Sequence, residues 1–250
     1  MTRSFAFASK KTNALFFAAL GVMMSGAVHA ADAPSPPWLL TISEYVMVGV
    51  TFDEATVRGM LPAEIKPVVR DGGVSGLFGV YRMPHAYGLP PYTAGYAAVE
   101  IEGFDSADGS KGRWMLQGAY GGAPVAMAIR TRYGWPLGPG EGRLEQRESS
   151  KRGTLMIGGS PVVEVEVART TEGCRSVAGI VHFVAPNPAG SGLIINEIPY
   201  TGKSCPATPV SVKVGGSANE LFRSLQPKSL TWGAELYEMS VAFTQPRMKR

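Results

Sequence analysis

Arg130, Arg132, Tyr133 and Trp135 fall within six consecutive positions of the run RTRYGWP. Each arginine carries a planar fork of donors matched to a carboxylate. Tyr133 and Trp135 supply apolar ring faces with one polar tip each. Small-molecule pockets are built from such groups, although the same two rings would equally fill core around a Gly-Pro turn. His85, in YRMPHAYGLPPY, sits in a stretch able to border a pocket. His182, inside the apolar IVHFV, reads as a satisfied strand residue rather than a ligand.

Two carboxylate pairs have a spacing that could serve proton transfer. Glu100 and Glu102 in VEIEGF, and Glu164 and Glu166 in VEVEVA, are two positions apart, so each pair shares one face of a strand. Alternation of this kind is also ordinary on the solvent face of a half-buried sheet, and that is the reading taken here. No HxH, HExxH, CxxC, GxxxxGK[ST] or GxSxG spacing occurs, which leaves a zinc site, a phosphate loop and a nucleophile elbow without support. No metal and no cofactor are expected.

The elements that must position these residues are mostly strands. WLLTISEYVMVGV (38–50) is rich in β-branched and aromatic residues. FDEATVRGMLP follows, where Asp53 can cap a short helix, Glu54 suits its first turn and Pro62 stops it. IKPVVR, VSGLFGVYRM, YTAGYAAVEIEGF and GRWMLQGAY read as further strands. RGTLMIGG and PVVEVEVART form a hairpin with GGSP (158–161) at the turn, and Val163, Val165 and Val167 share its inner face. AGIVHFVAP, GLIINEIPY and VSVKVGG continue the pattern. SANELFRSLQP reads as a short helix capped by Ser217 or Asn219, and LTWGAELYEMSVAFTQP as a long closing strand. Strands dominate and no βαβ alternation is visible, so an antiparallel assembly, curled into a barrel or sandwich with a few short helices, is expected.

The first thirty residues stand apart. Arg3, Lys10 and Lys11 precede an apolar run of about 14 residues, ALFFAALGVMMSGA, and VHA follows it. This pattern predicts a signal peptide over residues 1–30, cleaved after Ala30, and a periplasmic or secreted single domain over 31–250. The whole chain has 24 basic and 20 acidic residues; taking away the three basic residues of the leader leaves 21 against 20. A charge near +1 gives no nucleic-acid footprint, and without its leader the chain has no membrane segment. The two cysteines, Cys174 and Cys205, would meet an oxidising compartment, where a disulfide between them is expected.

Several stretches, taken in order, resemble the acetoacetate decarboxylase family. SEYVMVGVTFDEATVRGMLPAEIKPV is similar to its opening strand, helix and Leu-Pro strand. TRYGWPLG is similar to the segment that carries the family's Tyr-Pro-Lys-Lys, and RGTLMIGGSPVVEVEVA to the hairpin after it. APNPAGSGLIINEI keeps Pro186, Gly190 and Glu197 of a further stretch, and LQPKSLTWGAELYEMSVAFTQP fits the closing strand. The resemblance covers roughly residues 38–246. It implies a β-rich α+β fold, with antiparallel sheets closed into a cone-like β-barrel around an apolar cavity, and a tendency to form homo-oligomers.

The family's decarboxylases form an imine between a lysine and a β-keto acid, with a second lysine depressing the amine's pKa. Here that nucleophile falls on Trp135 and its partner on Pro136. The family's arginine falls on Ser43 and its pocket glutamate on Ala94. No lysine lies between Lys111 and Lys151, so a slip of a few residues does not restore the pair. The resemblance therefore implies a divergent member, exported, that binds or converts a small carbonyl, carboxylate or apolar compound without a lysine imine. Its candidate cavity residues are Trp135, Tyr133, Arg132, Ser43, Ala94 and His85. Any enzymatic activity would be lyase-like on a small keto or carboxylate compound, with standard acetoacetate decarboxylase activity not expected. Two other readings stay open: a family-type lyase acting on a β-keto acid through an unplaced lysine, and a non-catalytic interaction protein of the cell envelope.

Overall fold

The long apolar stretches of the sequence become strands, and in this computed structural model the strands close on themselves. Residues 35–170, 173–215 and 220–249 are described. The expected leader and the expected caps Ser217 and Asn219 lie outside them. In chain order the elements begin with β1 (Trp38–Phe52), α1 (Glu54–Arg58), β2 (Val69–Arg70), β3 (Gly73–Met83), β4 (His85–Tyr87), β5 (Tyr92–Ile101) and β6 (Gly112–Gly121). Next come α2 (Ala123–Tyr133), β7 (Leu137–Gln146), β8 (Ser150–Ile157), β9 (Ser160–Arg169), β10 (Arg175–Pro186) and β11 (Leu193–Val214). The chain finishes with α3 (Glu220–Ser224), β12 (Pro227–Phe243) and β13 (Arg247–Met248).

Local chemistry sets several of these boundaries. Asp53 accepts the Thr56 amide at 2.8 Å and so satisfies a free donor at the start of α1. Gly158 and Gly159 have φ of 58° and 80°. Two successive positive φ values make the tight turn that matches strand twist, which is why GGSP joins β8 to β9.

Pairing runs β3–β5–β6–β7–β8–β9–β11–β12–β1 and returns to β3, so these strands form a closed ring. β10 offers a shorter circuit. It pairs with β11 over its whole length and with β6 at Phe183 and Val184. A second, smaller ring therefore runs β1–β3–β5–β6–β10–β11–β12. The 22-residue β11 serves both: its first half pairs β10, its middle β12, and its end β9.

Strand alternation then fills two apolar clusters from the same strands. Val46 and Val48 of β1, Phe78 of β3, Leu155 of β8 and Val163, Val165 and Val167 of β9 belong to one. Tyr45 and Met47 of β1, Tyr81 of β3, Tyr96 of β5 and Phe183 of β10 belong to the other, together with α2. Both faces of β1, β3 and β5 are consequently buried.

The expected absence of βαβ alternation needs one correction. β6 and β7 are parallel neighbours joined by α2, and parallel neighbours require such a crossover. Pro124 sits in the first turn of α2, and Gly134 ends it in the left-handed conformation (φ 67°), its amide bonding to the Arg130 carbonyl at 3.0 Å. TRYGWPLG is thus a helix end running into a strand.

Candidate functional site: an aromatic cavity at the end of α2

The second cluster is not completely filled. It encloses a cavity of about 210 Å³ walled by β1, β3, β5, β6, β10, β11 and β12, together with Trp135 just past α2. Tyr45, Tyr81, Tyr96, Tyr120 and Tyr200 supply rings; Met47, Met83, Met115 and Met239 supply flexible thioethers. Ser110, Arg113 and Ser204 supply polar groups.

The backbone explains how these tyrosines meet. Tyr45 stands opposite Tyr81 across β1 and β3, while Gly79 of β3 stands opposite Tyr96. A Cβ on Gly79 would lie 2.7 Å from the Tyr45 ring. The missing side chain lets Tyr45 lean across β3, and its hydroxyl hydrogen-bonds that of Tyr96. Tyr81 packs edge-on to Tyr45, Tyr92, Tyr96 and Tyr120, and Tyr92 stacks on Tyr120 with centroids 5.4 Å apart. Burial pushes the Tyr45, Tyr81 and Tyr120 hydroxyls well above the usual phenol pKa and raises Tyr96 too, against the opposing pull of Arg113. These hydroxyls stay neutral and able to donate at physiological pH.

Arg113, the second residue of β6, stands opposite Glu100 of β5. The Glu100 carboxylate lies 3.4 Å from Arg70. Among the described residues no carboxylate comes within 4 Å of the Arg113 guanidinium, and its Nε is buried without a hydrogen-bond partner. Trp135 Nε1 and the Tyr92 hydroxyl are buried without partners as well.

The sequence candidates are distributed unevenly around this cavity. Trp135 is 1% exposed and on the wall, its ring 5.2 Å from Phe183 and 5.5 Å from Phe243. Tyr133 packs behind it at 5.4 Å and donates its hydroxyl to the Phe243 and Thr244 carbonyls, each at 3.1 Å. Arg132 is half-buried in the last turn of α2, away from the wall. Ser43 is half-buried on β1, and Ala94 is fully buried against Gly142; neither lines the cavity. His85 is exposed on β4, beside an open groove with Thr41 and Tyr87. His182 is buried, with Nδ1 3.0 Å from the Phe104 carbonyl.

Cys174 and Cys205 form a disulfide where β10 begins. It fastens the open end of the β10–β11 hairpin, which carries Val181, Phe183, Ile198 and Tyr200 of the cavity wall. The bridge fits an oxidising compartment, and no helix among the described residues is long and apolar enough to cross a membrane.

Five tyrosines, four methionines and Arg113 had no motif to announce them, because they come from strands far apart in sequence. Among the described residues no lysine lines the cavity. Lys151, within the polar run QRESSKRG, is 1% exposed, with Nζ 2.7 Å from Glu44 Oε1 and 4.7 Å from the Tyr237 ring centre. Nearby, Glu235 is 2% exposed, lies 3.1 Å from Arg169 and accepts the Tyr237 hydroxyl. This network lies apart from the cavity.

No family model and no curated protein sequence matches the chain. Solved structures do. An acetoacetate decarboxylase from Legionella pneumophila superposes with a TM-score of 0.68 at 14% identity, over 87% of this chain and 88% of that one. The chain has the acetoacetate decarboxylase-like fold. An acetoacetate decarboxylase-like enzyme from Sphingomonas wittichii matches with a TM-score of 0.61 at 13% identity, covering 90% and 98%. The enduracididine biosynthesis enzyme MppR, in complex with pyruvate, matches with a TM-score of 0.61 at 16% identity, covering 86% and 91%. At these identities an acetoacetate decarboxylase-like architecture is what the likeness establishes.

Proposed function

We propose that this protein binds or converts a small carbonyl, carboxylate or apolar compound in the cavity beside Trp135, without a lysine imine, in an exported setting. One observation carries the reading. The cavity wall is aromatic and thioether, its polar groups are tyrosine hydroxyls, serines and Arg113, and no described lysine lies on it. Imine chemistry needs a neutral amine at the substrate. Lys151 is held by Glu44 outside the cavity. Lys111, next to the wall residue Ser110, is held by Asp105 at 2.6 Å. What this wall offers is apolar contact plus neutral and cationic donors, which suit binding, orientation and polarisation of a carbonyl or carboxylate oxygen. The disulfide supports the exported setting.

Borohydride reduction in the presence of pyruvate or acetoacetate tests the reading. The expected mass spectrum shows unmodified protein. A stable adduct on any lysine, Lys111 or Lys151 included, would return the chain to family-type lyase chemistry. A panel of small carboxylates, ketones and alcohols should raise the melting temperature, and failure of every compound would remove the cavity as a binding site.

A further inference from the structure

We infer that Arg113 is the anion anchor of the cavity and that the ligand is an aromatic monocarboxylate of about ten non-hydrogen atoms. The inference rests on the cavity reading above and narrows it to one chemical class.

Three observations converge on it. The first is charge. The Arg113 guanidinium borders an apolar cavity with its Nε buried and unpartnered, and no described carboxylate lies within 4 Å. Arg113 is half-buried with its Nε fully so; an unpartnered buried donor is costly, and a planar guanidinium is best satisfied by a carboxylate.

The second is position. Arg113, opposite Phe183 across β6 and β10, and Ser110 three positions before it are both half-buried on the wall, whereas Trp135 and Met83 are almost completely buried. Arg113 and Ser110 are thus a less buried part of the wall than the Trp135 ring. A ligand with one charged head and one apolar body fits that polarity in a single orientation. Tyr96 lies beside Arg113 and shares a hydrogen bond with Tyr45 in which either hydroxyl can donate; with Tyr45 as the donor, the Tyr96 proton is available to the second carboxylate oxygen.

The third is size and surface. A cavity of 150 Å³ holds benzene, so about 210 Å³ holds one ring with a short carboxylate side arm. Four methionine sulfurs and the Tyr81, Tyr120 and Trp135 rings make favourable contacts with an aromatic guest that they do not make with a short alkyl chain.

Calorimetric titration of the purified protein with 3-phenylpropanoate, 3-phenylpropanamide and butanoate tests this. The acid is expected to bind at least tenfold more tightly than the amide and than butanoate. Arg113→Met is expected to abolish the preference for acid over amide, and Arg113→Lys to retain part of it; circular dichroism and melting temperature show that both variants are folded. Equal binding of acid and amide by the wild type would overturn the anchor while leaving the cavity reading standing. A preference that survives Arg113→Met would overturn it as well. Butanoate binding as tightly as 3-phenylpropanoate would overturn the aromatic class. If none of the three binds, the inference fails, and failure of the wider panel of ketones and alcohols as well would take the cavity reading with it. Should Arg113→Met fail to fold, the acid-over-amide ratio of the wild type and of Arg113→Lys still decides the matter.

Discussion

Lys151 Nζ lies 2.7 Å from Glu44 Oε1, joining β8 to β1 across the interior, with the lysine side chain 1% exposed and the glutamate 30%. Removing one partner of a buried pair strands the other charge. Glu44→Gln should destabilise the fold by about 3 kcal/mol, near the lower limit for a buried pair because Glu44 keeps some solvent. The double variant Glu44→Gln/Lys151→Met should recover much of that loss. Denaturant unfolding of the three proteins checks it. If Glu44→Gln alone matches the wild type, the pair is not holding the strands.

Gly134 is the second pressure point. Its φ is 67°, and a Cβ there would sit 2.2 Å from the Pro186 carbonyl oxygen. Gly134→Ala combines a strained backbone with a backbone clash and should cost at least 2 kcal/mol. Gly138→Ala, where nothing lies within 4 Å of the added methyl, is the matched control and should be close to neutral. Thermal melts of the two variants make the comparison.

Much of this was legible in the sequence, and what was not has physical reasons. Asp53, the two-glycine turn and the cysteine pair act through local chemistry, so residue type alone reveals them. α2 escaped because its buried residues include two alanines among Val125, Ile129 and Tyr133, and alanine gives little periodic contrast. Trp135 could be placed because a resemblance pointed to its position. Arg113, Tyr45 and Tyr96 could not, since they meet only when β1 pairs with β3 and β3 with β5. The burial of Lys151 was not legible because its polar neighbours resemble a solvated run, whereas alternation turns every second side chain inward.

Trp135→Ala should separate packing from binding. Deleting a buried indole costs about 3–5 kcal/mol, and here it also enlarges the cavity. Melting temperature should fall, and part of the fall should be recovered by an apolar guest such as indole or naphthalene. A variant that loses stability but gains nothing from any guest would show that the site collapses around the missing ring.

Opening the disulfide should act on both stability and ligand kinetics. The bridge closes a loop spanning 31 positions, for which the chain-entropy model gives about 3–4 kcal/mol. The double variant Cys174→Ser/Cys205→Ser should unfold at lower denaturant by that amount. It should also release any cavity ligand faster, because the β10–β11 hairpin that carries part of the wall is no longer tied at its open end. Stopped-flow dissociation measures the second effect.

Alkaline titration follows from the buried phenols. Tyr237 is pushed up to about 12 by burial and by its bond to Glu235, and the cavity tyrosines shift in the same direction. A raised folded pKa means that the folded state holds its proton more tightly than the unfolded one. The stabilisation is complete below about pH 10, the unfolded value, and is lost as pH climbs through the folded values. Tyrosinate absorbance from these buried phenols should therefore appear together with loss of structure. Smooth titration of all tyrosines near pH 10 in a folded protein would contradict it.

Because β11 belongs to both circuits of strands, the two compartments cannot come apart independently. Lifting β11 to admit a ligand would also break its pairing with β9 and expose the valines of the other core. Slow-exchanging amides of β9 and of the inner half of β11 should accordingly share one opening free energy, that of global unfolding. Traffic into the cavity is left to its half-buried rim, where Ser204 adjoins the bridged Cys205, so the same disulfide that helps hold the molecule folded also governs the rate of passage.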